Sequence, residues 1–511
     1  MRAGLPVGDI VSRMTGIDSL NSWDILVAYD EEVLNRLLET RHASLPPNLT
    51  TISSIEVPHA SNPSENIKYR DITLGTPSLK LETTSGLVRL LFPLAGQYTE
   101  PGKAEERLDD GLFLDVQAKL VNTNGHAGSA SPVGIIQTFE GSSESRCDAA
   151  IDLSAPLVRI VDKHKTPAFS LADVGTALAD HITKVGLQYR LSSVKNDRET
   201  TSAGSGVVLK PTRFVMTVVE SAGSAPGAVL FWIDVEGIPS KGRMPTESHP
   251  LTFCQLAGDR SNTSPIPNGC SASLVLSRDV LTTLFLEPQL KHLGYSGIEF
   301  VANEILGEGM EAPKSGISFN ARPPKTAAKM DKVDQGTPLA KEQIDSITFD
   351  LDSAPAKFFL DKLNSHVILK YTIPGVGYFI SDFPMSTSMF STYTNSRRGR
   401  AAFTFTASGS ASWRSGEHET LGVWFELPAR FSVQAEPEIC SFWDRLVGWT
   451  DEKIRPMENL PCAVPNLPLD LGSIDFFLAT NMLLPGEHVF KLRAIPDDLY
   501  FPRDMLLLGE I

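Results

Sequence analysis

Cysteine is scarce in this chain. There are five in 511 residues, at positions 147, 254, 270, 440 and 462. The total is odd and no CxxC pair occurs, which excludes a disulfide scaffold and a zinc ribbon. Buried thiols are the expectation, with one bridge, Cys254–Cys270, left open across the polar stretch between them. The ten histidines show no HExxH, HxH or HxxxH spacing, so neither a metal nor any other cofactor is expected. Basic residues are outnumbered, 46 Lys and Arg against 61 Asp and Glu, for a net charge of −15. Such a surface repels phosphate backbones, so nucleic acid is not an expected partner. No apolar run reaches the ~18 residues of a membrane-spanning helix. The first residues, MRAGLPVGDIVSRMTG, lack the apolar core of a secretory signal. The expected location is therefore the cytoplasm by default, with non-classical release and peripheral membrane contact left open.

Catalytic motifs are missing as well. Gly204-Ser205-Gly206 and Gly294-Tyr295-Ser296-Gly297 do not have the spacing of a nucleophile elbow. Gly237 and Gly242 match the glycines of a phosphate loop, but the Lys and Ser/Thr that should follow are absent. Asp109-Asp110, Asp350, Asp352 and Asp497-Asp498 offer carboxylates for glycoside chemistry. Such residues crowd ordinary loops and strand ends, and no enzyme is expected.

Alternating strands are what the chain does contain. In 403–413, Phe403, Phe405, Ala407, Gly409, Ala411 and Trp413 take one face, and Thr and Ser take the other. Period two over such a stretch is a half-buried strand of roughly 35 Å. Residues 423–434 repeat the pattern with Val423, Phe425, Leu427, Ala429, Phe431 and Val433. Pro428 should place that strand at an edge or bulge. Leu112, Leu114, Val116, Ala118 and Leu120 form a third run, and Val367, Leu369, Tyr371 and Ile373 a fourth. Clean alternation favours antiparallel sheets with one wet face.

Helices are few. Residues 30–41 begin with a capping Asp and carry the stripe Val33, Leu34, Leu37 and Leu38. Residues 277–286 repeat the device with Val280, Leu281, Leu284 and Phe285, and Pro288 should stop them. Residues 170–185 and, more weakly, 440–454 complete the set. The strand, cap and helix of 25–38 align with 272–285 at a constant offset of 247, which suggests two similar units. Polar loops are expected at 59–66, 100–110, 196–206 and 258–269. The longest, 307–342, is the candidate linker, separating an N-terminal lobe of residues 1–306 from a β-rich lobe of residues 343–511.

Two segments carry a family resemblance. Ser22-Trp23-Asp24-Ile25-Leu26-Val27-Ala28-Tyr29, with the helix after it, resembles the opening of the accessory proteins of clostridial neurotoxin gene clusters. Ala479-Thr480-Asn481-Met482-Leu483-Leu484-Pro485-Gly486 and the stretch from Phe501 to Gly509 resemble their close. That family belongs to the tubular lipid-binding (TULIP) superfamily. The resemblance implies an elongated, β-dominated α+β fold, with long curved antiparallel sheets wrapped around few helices and an apolar groove between them. It also implies a non-enzymatic protein that binds lipid or another apolar small molecule, associated with a toxin cluster. The groove candidates are Leu37, Leu38, Leu284, Phe285, Phe403, Phe405, Phe425 and Phe431. Arg397, Arg398 and Arg400 are candidates for an anionic head group, against the plainer reading of a charged hairpin turn. The alternative is a structural component of a protein complex whose core is filled by its own side chains.

Overall fold

In a computed structural model the described residues are 5–59, 62–81, 87–108, 110–123, 126–131, 134–138, 146–162, 171–195, 209–220, 227–239, 242–243, 253, 264–301, 316–325, 327–330, 333–337, 340–344, 347–353, 355–360, 366–382, 395–415, 420–425, 429–433, 460–462, 467–473, 482–483, 491–492 and 499–510. They form a β-dominated α+β structure whose strand pairs are antiparallel. The chain divides into two compact units, 1–284 with 473–511, and 285–472. This differs from a division at 307–342. The strand Met505–Glu510 pairs with Ala272–Leu276, so the last segment belongs to the first unit.

The first sheet runs in the order Lys491–Leu492, Met505–Glu510, Ala272–Leu276, Ile25–Asp30, Ala228–Val235, Pro211–Val219, Gly134–Thr138 and His126–Ser131. Its central strands are buried on both faces, which is why Ala228–Val235 reads as a continuous apolar run rather than an alternation. One face packs Leu26, Leu230, Trp232, Val275 and Leu506 under the helix Val7–Met14, through Ile10 and Met14.

The sequence repeat appears here as a local two-fold relation. Val27 pairs with Leu274, its own counterpart at an offset of 247, and the register is symmetric about that pair from Ile25↔Leu276 to Tyr29↔Ala272. The Asp30 N–H donates to Ser271 O at 3.1 Å, and the equivalent Ser277 N–H donates to Asp24 O at 2.8 Å. Each strand then feeds a capped helix. Asp30 Oδ1 accepts the Val33 N–H at 2.8 Å, and Ser277 Oγ accepts the Val280 N–H at 3.2 Å. The flanking strands follow the same symmetry, Ile25 facing Ile233 and Ala272 facing Gly509.

The helices that follow differ. Glu31–Ala43 is a regular α-helix burying Val33, Leu34, Leu37 and Leu38. After Ser277 the chain takes a π-helical turn, Val280–Leu286, and continues as the α-helix Glu287–His292. Pro288 therefore does not stop the helix. It sits at the junction of the two segments, in the first turn of the second, where the helical hydrogen-bond pattern changes from π to α.

The second sheet also lies in the first unit. Its order is Thr51–His59, Asn62–Leu74, Leu87–Thr99, Leu112–Thr123, Arg146–Asp162, Gln188–Lys195 and Met482–Leu483. The loop expected at 59–66 is mostly strand, since Asn62–Leu74 pairs with Thr51–His59 as a hairpin. The helix Leu171–Val185 packs against both Arg146–Asp162 and Thr51–His59. Four strand spacings separate those two, roughly 19 Å on a flat sheet. A helix about 10 Å wide touches both only if the sheet curls around it. That curl is the β-wrapped-around-helix arrangement expected for this fold class.

The second unit carries an eleven-stranded sheet among its described residues, with Ser296–Val301, Ile317–Arg322, Ala356–Leu360, His366–Asp382, Asn395–Ser415, Thr420–Phe425 and Leu467–Ser473 in order. The described residues of 307–342 are mostly strand. Ile317–Arg322, Ala327–Met330, Val333–Thr337 and Ala340–Ile344 are strands, short and with few large apolar side chains, which is why their pattern resembles a loop. Gly316, at φ +84°, opens the first, where a Cβ would lie 2.7 Å from Leu360 O. The alternating run of 403–413 lies within the 21-residue strand Asn395–Ser415. Its pairing with His366–Asp382 slips between Ile373 and Val376, where Pro374 and Gly375 form the bulge. Pro428, the loop 196–206 and the helix expected at 440–454 lie outside the described residues.

Candidate binding site

The curled sheet builds an apolar layer facing the helix Leu171–Val185. Cross-strand partners share a face, so the register defines its lining. Phe92, Leu114 and Ile160 form one row, and Leu90, Val116 and Val158 the next. From the helix, Val174, Leu178 and Ile182 are buried. A Cβ on Gly175 would lie 3.9 Å from Ile160 Cγ1, which places the helix on this same face. Leu90, Leu114, Val116, Leu178 and Ile182 are fully buried, whereas Val158 and Ile160 remain half-buried.

A second helix closes this layer from the side of the first sheet. The side-chain amide of Asn35 acts as a short strand, its Oδ1 accepting the Leu79 N–H at 2.6 Å and its Nδ2 donating to Leu79 O at 3.1 Å. Glu31 Oε2 accepts the Leu81 N–H at 3.0 Å. At the other end of Glu31–Ala43, His42 Nδ1 lies 2.8 Å from the Tyr189 hydroxyl and Nε2 lies 3.0 Å from Leu74 O. A neutral ring donating from Nε2 to the carbonyl and accepting the phenol proton at Nδ1 satisfies both contacts. Burial holds the His42 pKa below its ordinary value, against the carbonyl bond that raises it. Burial likewise raises Tyr189.

The predicted groove residues fall into separate places. Leu37 and Leu38 are buried on the helix Glu31–Ala43 in the first unit. Leu284 is half-buried and Phe285 is buried, on the π-helical turn where the two units divide. Phe403, Phe405, Phe425 and Phe431 belong to strands of the second unit. There Phe405 pairs in register with Phe431, Phe403 with Val433, and Phe425 with Ala411. Arg397, Arg398 and Arg400 are not in a hairpin turn. They lie within Asn395–Ser415, opposite Ile380, Phe379 and Gly377. The alternation of 112–120 and the stripe of 170–185 were readable in the sequence. What joins them into one lining is the strand order, which no local pattern encodes.

Two cavities open elsewhere on the first unit. One, of about 300 Å³, lies on the opposite face of the second sheet. Asp115 is its centre and is buried there. Arg89 holds it with Nε 2.6 Å from Oδ1 and Nη2 2.7 Å from Oδ2, and Arg159 Nε donates to Oδ2 as well. Burial alone would raise this carboxyl, but the bonds and charges of the two arginines outweigh it and hold the pKa below the usual carboxylate value. The other cavity, of about 150 Å³, gathers Asp18, Trp23, Asp24, Arg278, Arg503 and Asp504. Asp504 Oδ2 accepts the Ser19 N–H at 3.0 Å and Oδ1 the Arg278 N–H at 3.1 Å. Burial nevertheless pushes its pKa up to about 6, with Asp18 adding to the rise, and the two backbone bonds and Arg503 opposing it.

Cys147 and Cys270 are buried thiols, and Cys254 lies outside the described residues. Burial, then the neighbouring Asp148, pushes Cys147 up to about 12, so it carries no thiolate near neutrality. Among the described residues no cluster of three His, Cys, Asp or Glu could hold a metal ion. Also among them, no helix is long and apolar enough to cross a membrane.

No protein-family model and no curated protein matches the chain. Among solved structures it is similar to P47 from Clostridium botulinum A2, at 9% identity over 96% of this chain and 98% of that chain, with a TM-score of 0.46. It is similar to P47 of Clostridium botulinum E1 at 10% identity, over 96% of this chain and 99% of that one, with a TM-score of 0.45. It is also similar to lipopolysaccharide binding protein at 10% identity, over 96% of this chain and 98% of that one, with a TM-score of 0.29.

Proposed function

We propose that the protein is a non-enzymatic carrier or sensor of an apolar, chain-like ligand such as a lipid acyl chain. The ligand lies between the curled second sheet and the helix Leu171–Val185. The observation that carries this reading is the curl itself, with one amphipathic helix inside an apolar concave face. Ile160, half-buried on this face, marks where that layer is not filled by its own side chains. Such a seat needs no charged residue, because each methylene buried contributes about 0.8 kcal/mol. This agrees with the absence of any catalytic motif. Native mass spectrometry of the purified protein, followed by lipid extraction, tests it. A stoichiometric apolar ligand, displaced in an Ile160→Trp variant that fills its seat, is the expected result. An apo mass that persists after exposure to a lipid mixture would refute it.

One observation favours a second reading. Leu114, Val116, Leu178 and Ile182 are already fully buried by protein, as in a packed core. A component of a protein complex would then use its surfaces rather than its interior. That reading predicts a stable hetero-complex and no lipid uptake.

A further inference from the structure

We infer that the outward-facing cavity of the second sheet is a separate binding site for a phosphate monoester carrying a short apolar tail. Three adjacent strands build it in two cross-strand rows. Arg89, Gln117 and Leu157 form one, and Asp115 and Arg159 the other. The strand Arg146–Asp162 slips in register between Asp152 and Leu157. Bulges of this kind bend a strand and re-aim the side chains beside it, and they recur next to functional sites. Asp152 stabilises this one by accepting the Ser154 N–H at 2.9 Å and the Ser154 hydroxyl at 2.8 Å.

Two features set this patch apart from an ordinary solvated sheet face. The first is a carboxylate buried between two guanidinium groups, which holds Arg89 by both prongs and Arg159 through Nε and leaves the cluster with one net positive charge in a chain of net charge −15. Arg159 engages Asp115 through Nε while its side chain stays 68% exposed, so its terminal N–H groups face solvent. A guanidinium held this way is arranged in advance for two parallel bonds to an oxyanion. The second feature is Leu157, 71% exposed directly beside it. An exposed leucine alone is unremarkable. Together with a cavity of about 300 Å³, it supplies an apolar contact next to an anion receptor, and the pair matches the two ends of an alkyl phosphate. This site lies on the face opposite the proposed acyl-chain layer and does not depend on it.

The probe is n-hexyl phosphate, titrated calorimetrically against the full chain, with inorganic phosphate for comparison. Saturable binding, tighter for hexyl phosphate, is expected. Arg159→Gln should weaken both ligands by roughly ten- to a hundredfold, and Leu157→Asn should weaken only hexyl phosphate. Both side chains are largely exposed, so these variants should fold, and circular dichroism verifies that they do. Phosphatidylcholine vesicles with and without phosphatidic acid separate the sources. Co-sedimentation that needs both phosphatidic acid and Arg159 identifies the ligand as a bilayer lipid, and solution binding alone identifies a soluble ester. No binding of either probe, or equal binding by the Arg159→Gln variant, overturns the proposal. Apolar ligand retained in the interior of that variant would show that the first reading stands independently.

Discussion

Asp504 should make the first unit more stable in mild acid than at neutral pH. Its carboxyl is almost fully buried and its pKa is raised from 3.8 to about 6 in the folded protein. A raised folded pKa means that the fold prefers the protonated form. The associated stability is fully present below about pH 3.8, the unfolded value, and is lost as pH rises through about 6. The shift of about two units corresponds to a penalty of roughly 3 kcal/mol at pH 7. Asp504→Asn removes the charge and keeps the size, but it offers one acceptor for two N–H groups, a loss of ~1–3 kcal/mol. The two effects nearly cancel at pH 7 and leave the variant the less stable protein near pH 4. Urea unfolding of both proteins across that range measures the difference, followed by tryptophan fluorescence, since Trp23 lines the same cavity. Subtracting the curves cancels the titration of every other carboxylate. A difference that stays constant with pH would refute the reasoning, because it would mean that Arg503 and Arg278 keep Asp504 ionised without penalty.

Leu178→Ala deletes a fully buried side chain from the inner helix and should cost about 2–5 kcal/mol in denaturant unfolding. Asp30→Ala removes the cap of Glu31–Ala43; a loss of about 1–2 kcal/mol, with faster amide exchange in the first turn, is the expected readout. Two glycines should respond in opposite ways to alanine. At Gly242 the new Cβ would lie 2.2 Å from Trp23 Cδ2, against a ring that Arg213 also covers at 4.9 Å, so soluble yield should collapse. At Gly8, inside the helix Val7–Met14, nothing lies within 4 Å, and thermal melting should show a gain of roughly 0.5–1 kcal/mol.

Local pattern carried much of this architecture. The alternation of Leu112, Leu114, Val116 and Ala118 reports a half-buried strand faithfully, because each of those side chains is decided by its own position on the pleat. Asp30 and Ser277 mark helix starts because a cap is a contact three residues long. What failed was non-local. Pro288 looked like a stop because the π-helical turn that accommodates it has no sequence signature. Asp115 looked like a wet-face residue until Arg89 and Arg159 arrived from two other strands. Residues 307–342 looked like a linker because short strands with few large apolar side chains differ from loops only in having neighbours. The lining of the candidate site was equally hidden, since Phe92, Leu114 and Ile160 become a row only through strand order.

The symmetric pairing of Val27 with Leu274 also dictates an order of events during synthesis. Ile25–Asp30 has no partner until Ala228–Val235 exists, and its other edge stays open until Ala272–Leu276 follows. That third strand in turn waits for Met505–Glu510, nearly half the chain later. Contacts so distant in sequence close slowly. Meanwhile the nascent protein presents a bare, mostly apolar strand edge, the kind of surface on which chains pair with one another. The arrangement that makes the finished sheet symmetric leaves its assembly dependent on protection until the last strand is docked.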